Sequence, residues 1–392
     1  MKRYKLLNNV LGWVVFVIAA VTYILTLEST ASFWDCGEFI ASGYKLEVGH
    51  PPGNPIFMLT ARFFANFASS PSEVAYMVNL MSGLLSAATI LLLFWTITRL
   101  AQKIVLRDGE TEETMSLGQM IAILGCGLVG ALAYAWSDTF WFSAVEGEVY
   151  AYSSFCTALV FWLILKWESV ADLPHANRYI ILIAYIIGVS IAVHLLNLLC
   201  IPAIVLVYYY RKYKNTDLKG SLIALLVSFV LIVLLLYGLV PGFVEVASWV
   251  ELLFVNVFHL PFNSGVVFYF FLIVGVIAWA IYETYAQRSD KLIKISFLIS
   301  IVLVGIPFIG DGYIIGIVLT AALAYYLFTR KKLAVVAMNT ILLSLFVIFI
   351  GYSSYALIVI RSTANTPMDQ NSPEDIFSLG GYLNREQYGD RP

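Results

Sequence analysis

Eleven apolar stretches restrict what this 392-residue chain can fold into. A helix needs roughly 20 predominantly apolar residues to cross a bilayer. Soluble domains carry about 25% charged residues, whereas only 12% are charged here. We therefore predict an all-α integral membrane protein with about eleven transmembrane helices. The predicted spans are 10–27, 74–99, 119–137, 149–166, 179–194, 197–210, 219–240, 264–285, 295–309, 313–329 and 333–360.

The distribution of basic residues predicts the orientation of these spans. Inner connections of membrane proteins are enriched in Lys and Arg. With the N-terminus inside, all but five of the 23 basic residues fall on inner segments, which predicts a cytoplasmic N-terminus. The five exceptions are Lys45, Arg62, Arg361, Arg385 and Arg391.

The stretch 179–210 should cross the membrane an even number of times, because both of its flanks are basic. A turn at residues 194–197 would divide it into two short helices. Irregular backbone at membrane depth is tolerated only where it is buried or wet. We therefore expect this turn to border a cavity.

The outer connections are predicted to contain helices that lie on the membrane surface. Connection 28–73 includes the apolar segment 56–67, and connection 241–263 alternates polar and aromatic residues, as interfacial helices do. We expect residues 1–361 to form the transmembrane domain. The polar segment 362–392 is expected to begin a truncated external, periplasmic region.

Two carboxylates, Asp35 and Glu38, directly follow the first span. Residues three apart share one face of a helix, so one of the two can act as a general base while the other orients it. The alternative is that both mark the polar end of the span and cap the next helix. The functional interpretation predicts Asp35 and Glu38 as catalytic residues.

A second carboxylate pair, Glu146 and Glu148, precedes the fourth span on the same side. Acidic residues are favoured at helix N-termini by the helix dipole, which is the alternative explanation. Each of two outer loops places a carboxylate pair at the same depth relative to the membrane, which favours a site shared by both loops. We expect Glu146 or Glu148 to line it.

Other polar side chains on the outer face suit a phosphate-linked sugar. Basic groups would hold a phosphate, and amides would bind sugar hydroxyls. Single histidines are more often structural, and an arginine at a span end often reaches for the interface. The candidates are His50, Arg62, His194 and Arg361 for phosphate, and Asn54 and Asn197 for sugar.

Several other functions are disfavoured by the sequence. The four cysteines have no zinc-ligand spacing, and no nucleic-acid patch or Ser/His/Asp arrangement is present. The halves show no repeat, and the spans carry little midplane charge, which disfavours a secondary transporter. No cofactor is predicted firmly, although the acidic pairs have the oxygen ligands that a divalent cation prefers.

The loop motifs resemble a known family. Residues 28–40, 50–55 and 145–151, with tail segments 371–375 and 382–392, closely resemble a bacterial membrane family of unassigned function. That family is related to the eukaryotic endoplasmic-reticulum protein O-mannosyltransferase of plexin-type receptors. It is similar to the C-type (GT-C) glycosyltransferase superfamily, whose members use lipid-phosphate sugars.

The resemblance implies a reaction and a place. An acid of the first outer loop, Asp35 or Glu38, would be the base, and a second-loop acid, Glu146 or Glu148, would assist. The reaction would be inverting transfer of a sugar, expected to be mannose, from a polyprenyl-phosphate donor to Ser or Thr of exported proteins. The expected location is the bacterial inner membrane, with a periplasmic active site.

Three alternatives are compatible with the same sequence. In the first, the acceptor is a lipid or a glycan instead of a protein. A transporter or flippase for a lipid-linked sugar would need a cavity and phosphate-binding groups but no base. A scaffold that presents an outer domain would need neither.

Overall fold

The computed structural model describes residues 2–107, 109–310 and 313–389 and builds them from helices. Within these ranges, eight helices are long and apolar enough to cross a membrane, and three shorter apolar helices accompany them. The predicted all-α membrane class is therefore confirmed. Each predicted span coincides with a helix, while the number of eleven crossings stays a prediction.

The chain divides into two compact units. The first comprises Met1–Gly49, Asn54–Tyr179 and Ser190–Val207, and the second comprises His50–Gly53, Ile180–Val189 and Tyr208–Pro392. The helices of the first unit are α1 (Lys2–Leu25), α2 (Cys36–Lys45), α3 (Pro55–Ala65), α4 (Val74–Val105), α5 (Leu117–Ala135), α6 (Asp138–Ala144) and α7 (Val149–Val170).

Helix α4 is the centre of the first unit, because α1, α5 and α7 all pack on it. Glycine brings α5 close: a Cβ at Gly127 would lie 2.5 Å from Thr98 of α4. The Tyr23 hydroxyl of α1 donates to the carbonyl of Ala135 at 2.9 Å. Close contact through small residues is the usual way that helices associate in lipid.

Helices α2 and α3 form a hairpin that rests on α4. Phe39, Phe57 and Val78 belong to one buried apolar cluster. A Cβ at Gly43 would lie 2.6 Å from that of Ala61, so the two helices cross closely. The helix predicted for residues 56–67 is thus present as α3, and it holds α2 beside the membrane-spanning helices.

The predicted turn in stretch 179–210 is present. Helix α8 (Arg178–Ile191) ends before it, a 3-10 helix covers Leu195–Cys200, and α9 (Ile201–Lys212) follows. The His194 amide donates to the Ser190 carbonyl at 2.7 Å and closes the last turn of α8.

The second unit is dominated by one long helical rod. Helix α10 (Leu218–Val233) and α11 (Val240–Leu252) are joined by a π-helical segment, and the helical backbone runs unbroken over Leu218–Val257. Residues 241–257 of the amphipathic segment predicted at 241–263 therefore continue the helix of the preceding span. The remaining helices are α12 (Ser264–Ala286), α13 (Asp290–Leu303), α14 (Tyr313–Thr329), α15 (Val335–Tyr352), α16 (Ala356–Thr363) and α17 (Ile376–Leu383).

The polar tail contributes to this unit. Helix α17 begins with a capping box, in which the Asp375 carboxylate accepts from Phe377 and Ser378, and it packs on α11. The predicted domain boundary after residue 361 stays a prediction. Residues 390–392 of the tail motif lie outside the described residues.

Two glycines let α8 and α15 touch backbone to backbone. A Cβ at Gly351 would lie 2.4 Å from the carbonyl carbon of Gly188, and a Cβ at Gly188 would lie 2.6 Å from the carbonyl oxygen of Ile348. Backbone atoms cannot rotate away as a side chain can. A side chain at either position must therefore push the helices apart.

We expect Gly351→Ala to destabilise the protein by about 1–3 kcal/mol, the usual cost of overpacking. Thermal unfolding in detergent measures this. Gly275→Ala in α12 is the matched control, because a Cβ there meets nothing within 4 Å. Equal melting temperatures for the two variants would contradict the close crossing.

Candidate active site

Asp35 and Glu38 lie together at the start of α2. Asp35 is the N-cap residue, yet within the described chain its exposed carboxylate makes no capping hydrogen bond. Glu38 is half-buried in the first turn. A carboxylate oxygen of Asp35 lies within 4.8 Å of a carboxylate oxygen of Glu38, as the spacing of three residues predicts. The capping alternative for Asp35 is therefore not what the geometry shows.

The residue before Asp35 has an unusual backbone. Trp34 has φ 59°, in the left-handed region that bulky residues rarely adopt. Its side chain is 88% exposed. Such conformations cost roughly 1–3 kcal/mol and concentrate at functional sites, so the strain fits a site at Asp35.

Gly49 fixes the position of the Glu38 carboxylate. A Cβ at Gly49 would lie 2.7 Å from Oε1 of Glu38. The carboxylate thus lies against backbone that only glycine leaves open. Residue 49 was not predicted as part of the site, because a contact between a helix residue and a later loop residue has no signature in the sequence.

The second loop reaches the same place through Glu146. Its side chain is 4% exposed, and the Cys36 thiol donates to its Oε2 at 3.6 Å. Cys36 directly follows Asp35, so this hydrogen bond joins the first outer loop to the second. The structure therefore brings Glu146 to the N-terminal end of α2, while its place in a functional site stays a prediction.

Burial favours the protonated forms of Glu146 and Cys36. It raises the pKa of Glu146 above its ordinary value of 4.5; hydrogen bonds from Ser32 and Cys36 partly offset this, and the charge of Glu28 adds to it. Burial also raises the pKa of the Cys36 thiol, with smaller contributions from nearby carboxylates. The thiol therefore stays protonated at neutral pH and acts as a donor.

A buried amide holds the first loop against α4. Asn79 has no exposed surface, and its Nδ2 donates to the carbonyls of Glu28 at 2.7 Å and Thr30 at 3.1 Å. The Glu28 amide donates to the Val145 carbonyl at 3.1 Å and joins the two loops. An asparagine inside an apolar span is the signal from which this contact could have been predicted.

Glu148 caps a helix, as its alternative explanation proposed. The Val149 amide at the start of α7 donates to Glu148 Oε2 at 3.1 Å. Its side chain is buried, and its charge acts on Cys36. Glu148 therefore lies near Cys36 and caps the N-terminus of α7.

The turn after α8 carries further candidates. His194 packs on Tyr150 with ring centroids 5.5 Å apart, and its Nδ1 accepts from the Leu196 amide at 3.2 Å. Asn197 is buried, and both of its amide atoms lack a hydrogen-bond partner among the described residues. Buried polar groups are normally paired, so Asn197 is suited to bind a polar ligand.

Asn54 also has a buried polar atom without a hydrogen-bond partner among the described residues. It is the buried N-cap of α3, and its Nδ2 has no hydrogen-bond partner in the described part of the chain. The Ile56 amide donates to the Ala192 carbonyl at 3.2 Å. The start of α3 is thus tied to the segment that leads into the Asn197 turn.

The three remaining candidates are placed differently. Arg62 Nη1 donates to the Tyr44 carbonyl at 2.5 Å, with its guanidinium 5.3 Å from the Tyr44 ring, so it supports the end of α2. His50 and Arg361 belong to the second unit. The His50 carbonyl accepts from the Tyr382 hydroxyl at 3.4 Å.

The carboxylate pair supplies part of a cation site. Asp35 and Glu38 offer oxygen ligands, which Mg²⁺ and Ca²⁺ prefer, but these ions take about six or more. We therefore derive no step through a metal.

Known proteins match the part of the chain that contains these loops. The family model described as "Protein O-mannosyl-transferase TMEM260 N-terminal domain" matches residues 35–217, from Asp35 onwards. The chain is 27% identical over 209 residues to Protein O-mannosyl-transferase TMEM260 of Mus musculus, an alignment that covers 53% of this chain and 27% of the mouse protein. These matches support the resemblance to protein O-mannosyltransferases.

A second relative aligns over a similar length. The chain is 23% identical over 189 residues to Protein O-mannosyl-transferase tmem260 of Dictyostelium discoideum, covering 46% of this chain and 20% of that protein. The alignments therefore span about a quarter of these curated relatives. No solved structure matches the chain.

The raised pKa of Glu146 predicts a pH dependence of stability. The folded state binds this proton more tightly than the unfolded chain, so Glu146 contributes stability below pH 4.5 that is lost as pH rises through the folded pKa. Glu146→Gln should remove this slope. Melting temperatures measured from acidic to neutral pH test the prediction.

Glu110, in the connection between α4 and α5, is a control of opposite sign. The Arg107 amide and the Gln119 side chain donate to its carboxylate and lower its pKa. It therefore contributes stability above pH 4.5 that is lost as pH falls. Parallel pH profiles for Glu146→Gln and the wild type would refute a buried, protonatable Glu146.

Proposed function

We propose that this chain is the membrane-embedded part of a GT-C-type glycosyltransferase that transfers mannose from a polyprenyl-phosphate donor to Ser or Thr of exported proteins. The observation that carries the proposal is the convergence of Asp35, Glu38 and Glu146 around Cys36 at one end of α2. The similarity to proteins named O-mannosyl-transferase supports the sugar and the protein acceptor.

The proposed reaction is a single displacement. The acceptor hydroxyl oxygen attacks the anomeric carbon from the face opposite the phosphate. The bond from that carbon to the phosphate oxygen breaks, and its electron pair leaves with the lipid phosphate. The hydroxyl proton passes to a carboxylate, and the anomeric configuration inverts.

Asp35 is best placed to be the base. Its carboxylate is exposed and does not cap α2, so an acceptor hydroxyl can reach it. Glu38, held against Gly49, would orient Asp35 or the acceptor. Glu146 would hold the loop through Cys36 in a position that keeps this pair together.

The donor sugar would be bound by unpaired amides. Asn54 and Asn197 are buried with polar atoms that lack partners among the described residues, and sugar hydroxyls can both donate to and accept from them. His194 lies next to Asn197 on the same turn and would face the phosphate. Arg62, His50 and Arg361 stay candidates for the same role.

The proposed setting is the bacterial inner membrane. A cytoplasmic N-terminus, inferred from the basic residues, would place the connection that follows α1 on the periplasmic side. The acidic cluster would then face exported proteins and lipid-linked sugars in the outer leaflet.

Substituting either carboxylate of the pair should abolish transfer. A positioned general base contributes about 10²–10⁴-fold to rate, so Asp35→Asn should lose at least about 10²-fold, and Glu38→Gln should also fall strongly. The assay supplies purified protein with polyprenyl-phosphate mannose and a panel of exported Ser/Thr-rich proteins. Labelled mannose on the acceptor is measured.

The controls are Asp138→Asn and Glu73→Gln, which make the same chemical changes in other connections of the first unit. They should keep full activity. If labelled mannose moves to a lipid or glycan instead, the acceptor assignment is wrong. If Asp35→Asn retains all transfer activity, Asp35 is not the base. If the Asp35→Asn variant moves lipid-linked sugar across vesicle membranes as well as the wild type does, the carrier alternative replaces the transfer reaction.

Gly49→Ala should impair transfer without unfolding the protein. Its Cβ would displace the end of the Glu38 side chain, which is flexible, so stability should change little. Gly37→Ala is the matched control, since its Cβ would meet only Ala31 at an ordinary 3.9 Å. The double variant Gly49→Ala/Glu38→Gln should be no slower than Glu38→Gln; additive losses would show that Gly49 acts elsewhere.

A further inference from the structure

A polar cavity lies at the end of the first unit opposite the loop that follows α1. It has a volume of about 420 Å³ and is lined by Lys5 of α1, Arg99 of α4 and Lys166 of α7, among others. Helix α1 has 24 residues and is therefore about 36 Å long at 1.5 Å per residue. The cavity is thus separated from the loop that follows α1 by roughly one bilayer thickness.

The charges in this cavity do not balance. Three cations line it, whereas Glu112 is the one carboxylate among its lining residues. Lys5 Nζ lies 3.7 Å from Glu112. Arg99 donates to Gln102 Oε1 at 3.4 Å rather than to a carboxylate. Within the described residues, neither Arg99 nor Lys166 forms a salt bridge, although the charges of Arg99, Glu112 and Lys5 all act on Lys166.

Tryptophans form one wall of the cavity. The rings of Trp95 and Trp162 have centroids 5.8 Å apart, and Lys166 Nζ lies 4.8 Å from the Trp162 ring. Trp95 Nε1 donates to the Asn8 carbonyl at 3.4 Å. The Asn8 Oδ1 atom is buried without a hydrogen-bond partner among the described residues. Tryptophan is typical of the level of lipid head groups.

We propose that this cavity binds a phosphate-bearing anionic group, presented either by a membrane lipid or as free phosphate. The excess positive charge selects an anion. The planar guanidinium of Arg99 matches two phosphate oxygens, and the Lys166 ammonium adds a point charge. An uncharged hydroxyl of the same ligand would donate to Asn8 Oδ1. This site is independent of the proposed transfer reaction, since it shares no residue with the acidic cluster.

The test counts retained lipids. Protein purified in mild detergent is equilibrated with equimolar phosphatidylglycerol and phosphatidylcholine, and native mass spectrometry records the bound lipids. Wild type should retain at least one phosphatidylglycerol in preference to phosphatidylcholine. Arg99→Gln/Lys166→Gln should lose that molecule.

The control is Lys103→Gln/Arg107→Gln, which removes one Lys and one Arg from the same end of the unit but outside the cavity lining. It should retain the lipid as wild type does. Equal retention by the two double variants, whether high or low, would overturn the proposal. If the first double variant does not fold, Lys166→Gln alone, at an exposed side chain, must retain less phosphatidylglycerol than Lys103→Gln.

The source of the phosphate is distinguished by competition. Excess inorganic phosphate or pyrophosphate is added to the wild type before the lipid count. Displacement of phosphatidylglycerol would identify a site that accepts free phosphate. Retention against this excess would identify the lipid as the ligand.

Discussion

The buried Asn79 amide holds the outer loops of the first unit in register. A wholly unpaired amide inside α4 would be costly in lipid. Asn79 Nδ2 donates to the Glu28 and Thr30 carbonyls, while its Oδ1 has no hydrogen-bond partner among the described residues. The Glu28 amide in turn donates to Val145, which precedes Glu146. One polar residue on a membrane-spanning helix thereby sets where the carboxylates of both loops lie.

The acidic cluster combines groups in different environments. Asp35 is exposed and Glu146 is buried, so burial raises the pKa of Glu146 while Asp35 is open to an incoming hydroxyl. Pairs of carboxylates in unlike surroundings can take different roles in one reaction. Cys36 follows Asp35 in the chain and, as a protonated thiol, donates to Glu146.

Much of the fold could be predicted from local patterns, and much of the site could not. Hydropathy located the helices, and polar residues at 194–197 located the break after α8, because both are properties of short segments. The contact of Gly49 with Glu38 and that of Cys36 with Glu146 join residues distant in the chain. Periodicity gives no information about such pairs. Residues 241–263 were predicted as a separate surface helix, whereas residues up to Val257 continue the preceding helix. Polar residues show where a helix leaves the lipid, but they do not show where the helix ends.

The unbroken rod of the second unit has a mechanical consequence. Its 40 residues measure about 60 Å at 1.5 Å per residue, whereas the hydrocarbon core is about 30 Å thick. A straight rod of this length would rise about 46 Å even at a tilt of about 40°, the upper end of the usual range, and would still be longer than the hydrocarbon is thick. The rod is nevertheless not a single stiff helix, because a π-helical segment joins α10 to α11 and Pro241 lies at the start of α11, and helices bend at both features. The part of the rod that packs on α17 can therefore take a direction of its own in the bilayer.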